Sequence, residues 1–183
     1  MGRKNEKIVW VYFPKNQKLP SIGGKIVDLF SQHFESISSE KNDHKISKDF
    51  KDASSDNVLK VVATDLESIG FRVEKSKKKE ERVYVPVLFG INGKADKYFL
   101  VDAYDERSKW VVEVEAGRAV ANYQFLKDLF QACVMVDVDY LCIAIRKSYK
   151  GNKDFETALG FIETLYSSSR IQLPLKGILL IGY

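Results

Sequence analysis

Hydrophobic positions along this chain fall into short blocks whose period switches between two and three to four residues. Lys7 to Phe13 reads as a short strand and Pro14 to Pro20 as a loop. From Gly24 to Ser38 the apolar residues Ile26, Leu29, Phe30, Phe34 and Ile37 recur at helical spacing, which predicts an amphipathic helix. Ser38 to Asp56 is polar and poor in core residues, and reads as a linker or flexible loop. A second helix follows, with Ser55 or Asp56 as N-cap, Val58, Leu59, Val62, Leu66 and Ile69 on one face, and Gly70 as stop.

The middle of the chain is strand-rich. Phe71 to Lys75 and Arg82 to Phe89 predict strands on either side of a KSKKKEE turn, and Pro86 points to an edge or a bulge in the second. Ile91 to Lys94 is a turn. Asp96 to Tyr104, a tip over Asp105 to Lys109, and Trp110 to Glu115 together predict a hairpin. A helix from near Asn122 to Val136 carries Phe125, Leu129, Phe130, Cys133 and Val136. Asp139 to Ile145 has the apolar run of a strand covered on both faces. An amphipathic helix over Asp154 to Ser167 and a buried strand over Gly177 to Gly182 close the chain.

The predicted order from the second helix onward is αβββαβαβ, an α/β (α+β) fold with a mixed sheet covered by helices. With 183 residues, one domain is expected. Residues 1–53 would form a strand-helix extension with a polar linker over 38–56, and residues 54–183 the core.

Composition changes this picture little. Hydrophobic residues are 45% and charged residues 30%, ordinary for a soluble globular protein, and no apolar run is long enough for a transmembrane helix. The opening MGRKNEKIVWVYF lacks a signal-peptide core, so a cytoplasmic location is expected. A net charge of +4 does not by itself point to nucleic acid. Basic clusters at Lys75 to Lys79 and Arg146 to Lys153 read either as solvated loops or as phosphate contacts, and Tyr149 as packing or a nucleic-acid contact. Cys133 and Cys142 read as buried thiols, and His33 and His44 as ordinary histidines far from the acids. The absence of GxxxxGK, GxGxxG, CxxC and HExxH removes the common NTPase, dinucleotide, structural-zinc and zincin readings.

Candidate chemistry lies in KWVVEVEAGR, Lys109 to Arg118. Alternation puts Glu113 and Glu115 on one strand face, about 7 Å apart, and Trp110, Val112 and Val114 on the other. A hairpin tip centred on Arg107 and Ser108 sets Asp102 opposite Glu113, and Leu100 opposite Glu115. Three crowded carboxylates repel and raise one another's pKa unless a cation neutralises them, and an all-oxygen cluster suits Mg²⁺.

At these residues, FLVDAYDERSKWVVEVEAGR resembles the PD-(D/E)XK nuclease superfamily, in the Glu-x-Glu variant of BamHI-type type II restriction enzymes. EVEAGRA…LKDLFQACVMVDVDYLCIAI is similar to uncharacterised bacterial restriction-endonuclease-like proteins. The likeness covers roughly residues 55 to 150. It implies a restriction-endonuclease-like αβββαβ core and hydrolysis of phosphodiester bonds in double-stranded DNA with Mg²⁺ or Mn²⁺, by an enzyme that would be a homodimer. It implies Asp102 and Glu113 as metal ligands, with Glu115 where most of the family has lysine; Asp102, Glu113 and Glu115 are the candidate catalytic residues, and Glu115 is also a candidate metal ligand. Asp96 is a further ligand candidate, and Asp65, Glu67 or Glu74 could supply an acid from near the first core helix. Lys109, Arg118, Lys127, Gln131, Arg146 and Lys147 are candidate nucleic-acid contacts, and Arg118 could equally pair with Glu115.

Three other readings stand beside it. Acids on one strand face are often simply solvent-facing. The fold could bind DNA or a protein partner without cutting. Paired carboxylates also hydrolyse glycosides, although no sugar-stacking aromatic groove accompanies them here.

Overall fold

The computed structural model describes residues 8–38, 55–117, 119–120 and 122–183. The interior of the predicted linker (residues 39–54, with His44), the first seven residues and Arg118 lie outside the described residues.

Three apolar strands form the centre: β6 (Trp110–Glu115), β7 (Tyr140–Ile145) and β8 (Gly177–Gly182). Two amphipathic helices, α4 (Gln124–Val134) and α5 (Asp154–Ser168), connect them, and crossovers of this length make the three strands parallel. Antiparallel strands complete the sheet on both sides. β1 (Val9–Phe13) pairs with β8, β5 (Ala103–Asp105) with β6, and β2 (Arg72–Val73) with β5. The order is β1-β8-β7-β6-β5-β2, a mixed sheet in a mixed α/β protein. The predicted N-terminal strand therefore belongs to the same sheet as the core.

Alternation along the central strands sorts the core into two layers. Trp110, Val112, Val114, Cys142, Ala144, Leu179 and Ile181 pack under α1 (Ser21–Gln32), α2 (Phe34–Ile37) and α3 (Ser55–Ser68). Val111, Leu141, Ile143, Ile145, Ile178 and Leu180 pack under α4 and α5. Glu113 and Glu115 share the parity of Val111, so they point to the α4 side. α3 stops as its sequence predicts. Gly70 takes φ +114°, its N–H donates to Glu67 O, and the Phe71 N–H reaches back to Leu66 O, a Schellman closure.

Two elements differ from the sequence pattern. The helix expected over Gly24 to Ser38 starts at Ser21 and breaks at His33 into α1 and α2. The strand expected over Asp96 to Tyr104 is split at Asp102. Its first part, β4 (Ala95–Val101), leaves the main sheet and pairs with β3 (Val83–Phe89) as a separate two-stranded ribbon. Its second part, β5, keeps the predicted tip register, with Ala103 opposite Val112 and Tyr104 opposite Val111. Leu100 consequently faces Tyr84, not Glu115. Val83, Val85 and Val101 are buried against the α4 layer, which draws the ribbon out of the sheet plane. The ladder is irregular between Pro86 and Leu88, where Pro86 pointed to an edge or a bulge. Among the described residues no helix is long and apolar enough to cross a membrane.

Trp110 is 1% exposed and stacks on Tyr140 at 4.9 Å between ring centroids. Trp110→Ala should cost about 3–5 kcal/mol, read as a lower midpoint in denaturant unfolding. A shift of under about 1 kcal/mol would contradict its placement at the base of the α1 layer.

Candidate metal and phosphate site beside the central strand

Where β4 departs, the β6 backbone loses a neighbour, and side chains fill the gap. The Val114 N–H donates to Asp102 Oδ2 at 2.8 Å, and the Asp102 N–H points to Glu113 Oε2 at 3.4 Å. The two acids thus extend the β5–β6 ladder by side chain, facing each other as the hairpin register requires. The Glu74 N–H donates to Asp102 O at 2.8 Å, which brings the residue after β2 to the same place. Glu74 is held there by Lys77 at 3.1 Å and Arg82 at 3.8 Å.

α4 supplies a fifth acid. Asp128 is buried with its Oδ2 lacking any protein donor, and its Oδ1 lies 3.7 Å from Lys127 Nζ. The Asp128 and Glu115 carboxyls interact, which raises Glu115 and offsets part of the rise in Asp128. Glu74, Asp102, Glu113, Glu115 and Asp128 line one cleft of about 300 Å³, together with Lys77, Arg82, Lys127 and Gln131.

Burial dominates the electrostatics of this cleft. It pushes Asp102 up to about 7, helped by the charges of Glu74 and Asp128 and opposed by the Val114 N–H. Glu113 is raised well above the usual carboxylate range by burial, then by Asp102 and Asp128. Glu115 rises to about 8 by burial and by Asp128, and burial also raises Asp128. As the side chains stand they are sorted two by two, Asp102 with Glu113 and Glu115 with Asp128. Among the described residues no three His, Cys, Asp or Glu side chains form a group that could hold one ion. The donor chemistry nevertheless suits a hard divalent cation: carboxylate oxygens only, mutually repelling, one of them buried without a donor.

The other sequence candidates are dispersed. Asp96 is exposed beside Gly90 on the β3–β4 ribbon and does not line the cleft, because the split at Asp102 carries it away from β6. Lys109 lies at the opposite end of β6, about 13 Å along the strand from Glu113, and pairs with Asp137 at 3.1 Å. Arg146 is buried, hydrogen-bonded to Tyr183 and close enough to Asp154 to act on its carboxyl. Lys147 sits 4.9 Å from the centre of the Phe34 ring. Tyr149 covers Gly117, where an added Cβ would stand 2.7 Å from the ring. Of the helix acids, Asp65 is taken by His33 and Glu67 pairs with Lys75 at 3.0 Å, which leaves Glu74 in the cleft. Lys127 and Gln131 line the cleft with the acids.

Asp128 escaped the sequence reading although it left a signal. It falls at a core position of α4, between Phe125 and Ala132 and next to Leu129, where an apolar residue is expected. No protein-family model matches the chain, and no curated protein matches it.

The raised acids set a sign for the pH dependence of stability. Unfolded carboxylates lose protons near pH 4, whereas Asp102 and Glu115 do so near 7 and 8 in the folded protein. Over that window the unfolded state holds fewer protons, so stability falls as pH rises, and the loss is complete above the folded values. Thermal melts in EDTA should give a lower Tm at pH 8.5 than at pH 5.5. Glu113→Gln should gain Tm over the wild type, and more so at the higher pH. An equal gain at both would show that Glu113 does not belong to a mutually repelling cluster.

Proposed function

We propose that the chain is a metal-dependent phosphodiesterase with a restriction-endonuclease-like core, cutting double-stranded DNA. One observation carries this reading: five carboxylates from β6, α4, the Asp102 bend and the residue after β2 share one cleft with Lys77, Arg82 and Lys127 at its walls. Carboxylates alone would repel a phosphodiester, and cations alone would bind it without chemistry.

Asp102 and Glu113, with Glu115 and Asp128 beside them, would hold Mg²⁺ or Mn²⁺. Such a cation would offset the charge of these acids and would supply Lewis-acid polarisation of a phosphate oxygen and a more acidic water. The chain's own contribution is positioning. Asp102 is fixed by the Val114 amide, and Glu113 by its strand, so the first pair presents its carboxylates from the backbone-paired end of β6. Lys127 brings an ammonium to the Glu115–Asp128 pair and so supplies from a helix the cation that Glu115 removes from the strand. Gln131, one turn further along α4, offers a neutral donor and acceptor for water on the same wall.

In the presence of Mg²⁺ or Mn²⁺ the wild type should nick or cut mixed-sequence duplex DNA, and EDTA should stop it. Glu113→Gln should lower the rate about 100-fold or more while keeping the fold, and Lys127→Ala should lower it less. Cleavage by Glu113→Gln at the wild-type rate would remove the assignment. A second reading, binding without cleavage, draws on the pairwise arrangement of the acids, and predicts a retained duplex complex with neither ion supporting hydrolysis.

A further inference from the structure

The β3–β4 ribbon begins at the cleft and ends away from the body. Its root is anchored: Val83, Val85 and Val101 are buried, and the Val136 N–H donates to Pro86 O at 2.8 Å. Beyond Val87 the anchoring ends. Every residue from Leu88 to Tyr98 is exposed except half-buried Ala95, and Leu88, Phe89 and Ile91 at the tip are 57%, 54% and 87% exposed. A two-stranded segment exposed on both faces is a projecting arm.

Its charge points to an anion as its partner. The loop leading into β3 together with the ribbon, residues 75–101, carries seven Lys and Arg against three Asp and Glu. Lys75, Lys77, Lys78, Lys79 and Arg82 lie at the root, and Lys94 and Lys97 near the tip beside Asp96. An apolar tip alone would suit a protein surface; two exposed lysines beside it and the cluster of cations at the root place positive charge at both ends of the ribbon, which suits a phosphate backbone. The ribbon's outer face is also continuous with the acids. Arg82 and Leu100 line the cleft, Leu100 is paired with Tyr84, and Tyr98 follows one step outward. Tyr98 is pinned by its hydroxyl donating to Ala95 O at 3.0 Å and by the edge of Tyr84, 6.0 Å between centroids.

Dimensions agree with a DNA groove. Two paired strands are about 5 Å apart, and a two-stranded ribbon fits the major groove, about 12 Å wide. Root cations at Arg82 and Lys77 and tip cations at Lys94 and Lys97 are separated by about 20 Å of strand, the span of about six phosphates on one strand.

We propose that the β3–β4 ribbon is a duplex-reading arm, laid in a DNA groove beside the acidic cleft, with phosphates contacted at its root and tip. The identity of its ligand rests on the nuclease reading given above. The test measures binding of the full chain to a short mixed-sequence duplex in EDTA, across a salt series. Lys94→Glu with Lys97→Glu should weaken binding by about tenfold or more and make the log–log salt slope shallower by about 2. Lys18→Glu with Lys25→Glu, the same charge change on exposed residues of the α1 side, should leave both unchanged. Equal binding by the arm variant and the wild type overturns the arm, even if the wild type cuts DNA. Weakened binding by the arm variant supports it even if no cleavage is found, in which case only the catalytic reading falls. Absence of any duplex binding by the wild type overturns both. Ile91→Ser reads the remaining possibility, since a change in sedimentation with DNA affinity intact would make the tip a self-association surface and overturn the arm.

Discussion

The exchange of hydrogen bonds between Asp102 and β6 is the feature on which the rest of the site depends. A strand that simply continued from Asp96 to Tyr104 would cover β6 with backbone and leave no opening. Because the chain turns out of the sheet at Asp102, the Val114 amide needs an acceptor, and a carboxylate provides it. A buried amide left unpaired costs about 1–3 kcal/mol, so the bend and the acid depend on each other. The same bend sends the β3–β4 ribbon outward, opens the cleft and sets Asp102 against Glu113.

That arrangement is costly on its own. Four buried or half-buried acids, all raised, are held together by surroundings that gain nothing from their proximity. The two apolar layers supply the compensation: β6 is braced by Val112 and Val114 under the α1–α3 layer and by Val111 next to the acids on the other side. Under the proposed reading, a cluster held at such expense beside β6 is there to meet positive charge. On that reading the charge is a divalent cation, and the cations along the cleft walls and ribbon meet the phosphate backbone.

Much of this was legible in the sequence because it rests on short-range rules. Alternation in WVVEVE put Glu113 and Glu115 on one face, and the tip at Arg107 and Ser108 set Asp102 against Glu113, as the observed pairing of Ala103 with Val112 requires. Gly70, Pro86 and the apolar runs of β7 and β8 also behaved as their local chemistry predicts. Lys127 and Gln131, named from the sequence as candidate contacts, line the cleft. What local pattern could not supply was the partner of each acid across the fold. Asp128 reaches Glu115 only because the α4 crossover lays that helix over β6, and Glu74 arrives only through the backbone bond to Asp102.

The sequence by itself determined the strand and helix periods, the faces they bury and the register of the β5–β6 hairpin, since these depend on neighbours two to four residues apart or across one tight turn. The tertiary structure alone decided that the β4–β5 strand breaks at Asp102, that the break carries Asp96 onto the ribbon, and that Asp128 and Glu74 join the acids. Those outcomes depend on which surfaces the ribbon and α4 bury, a competition between long-range packings that no stretch of the chain records alone.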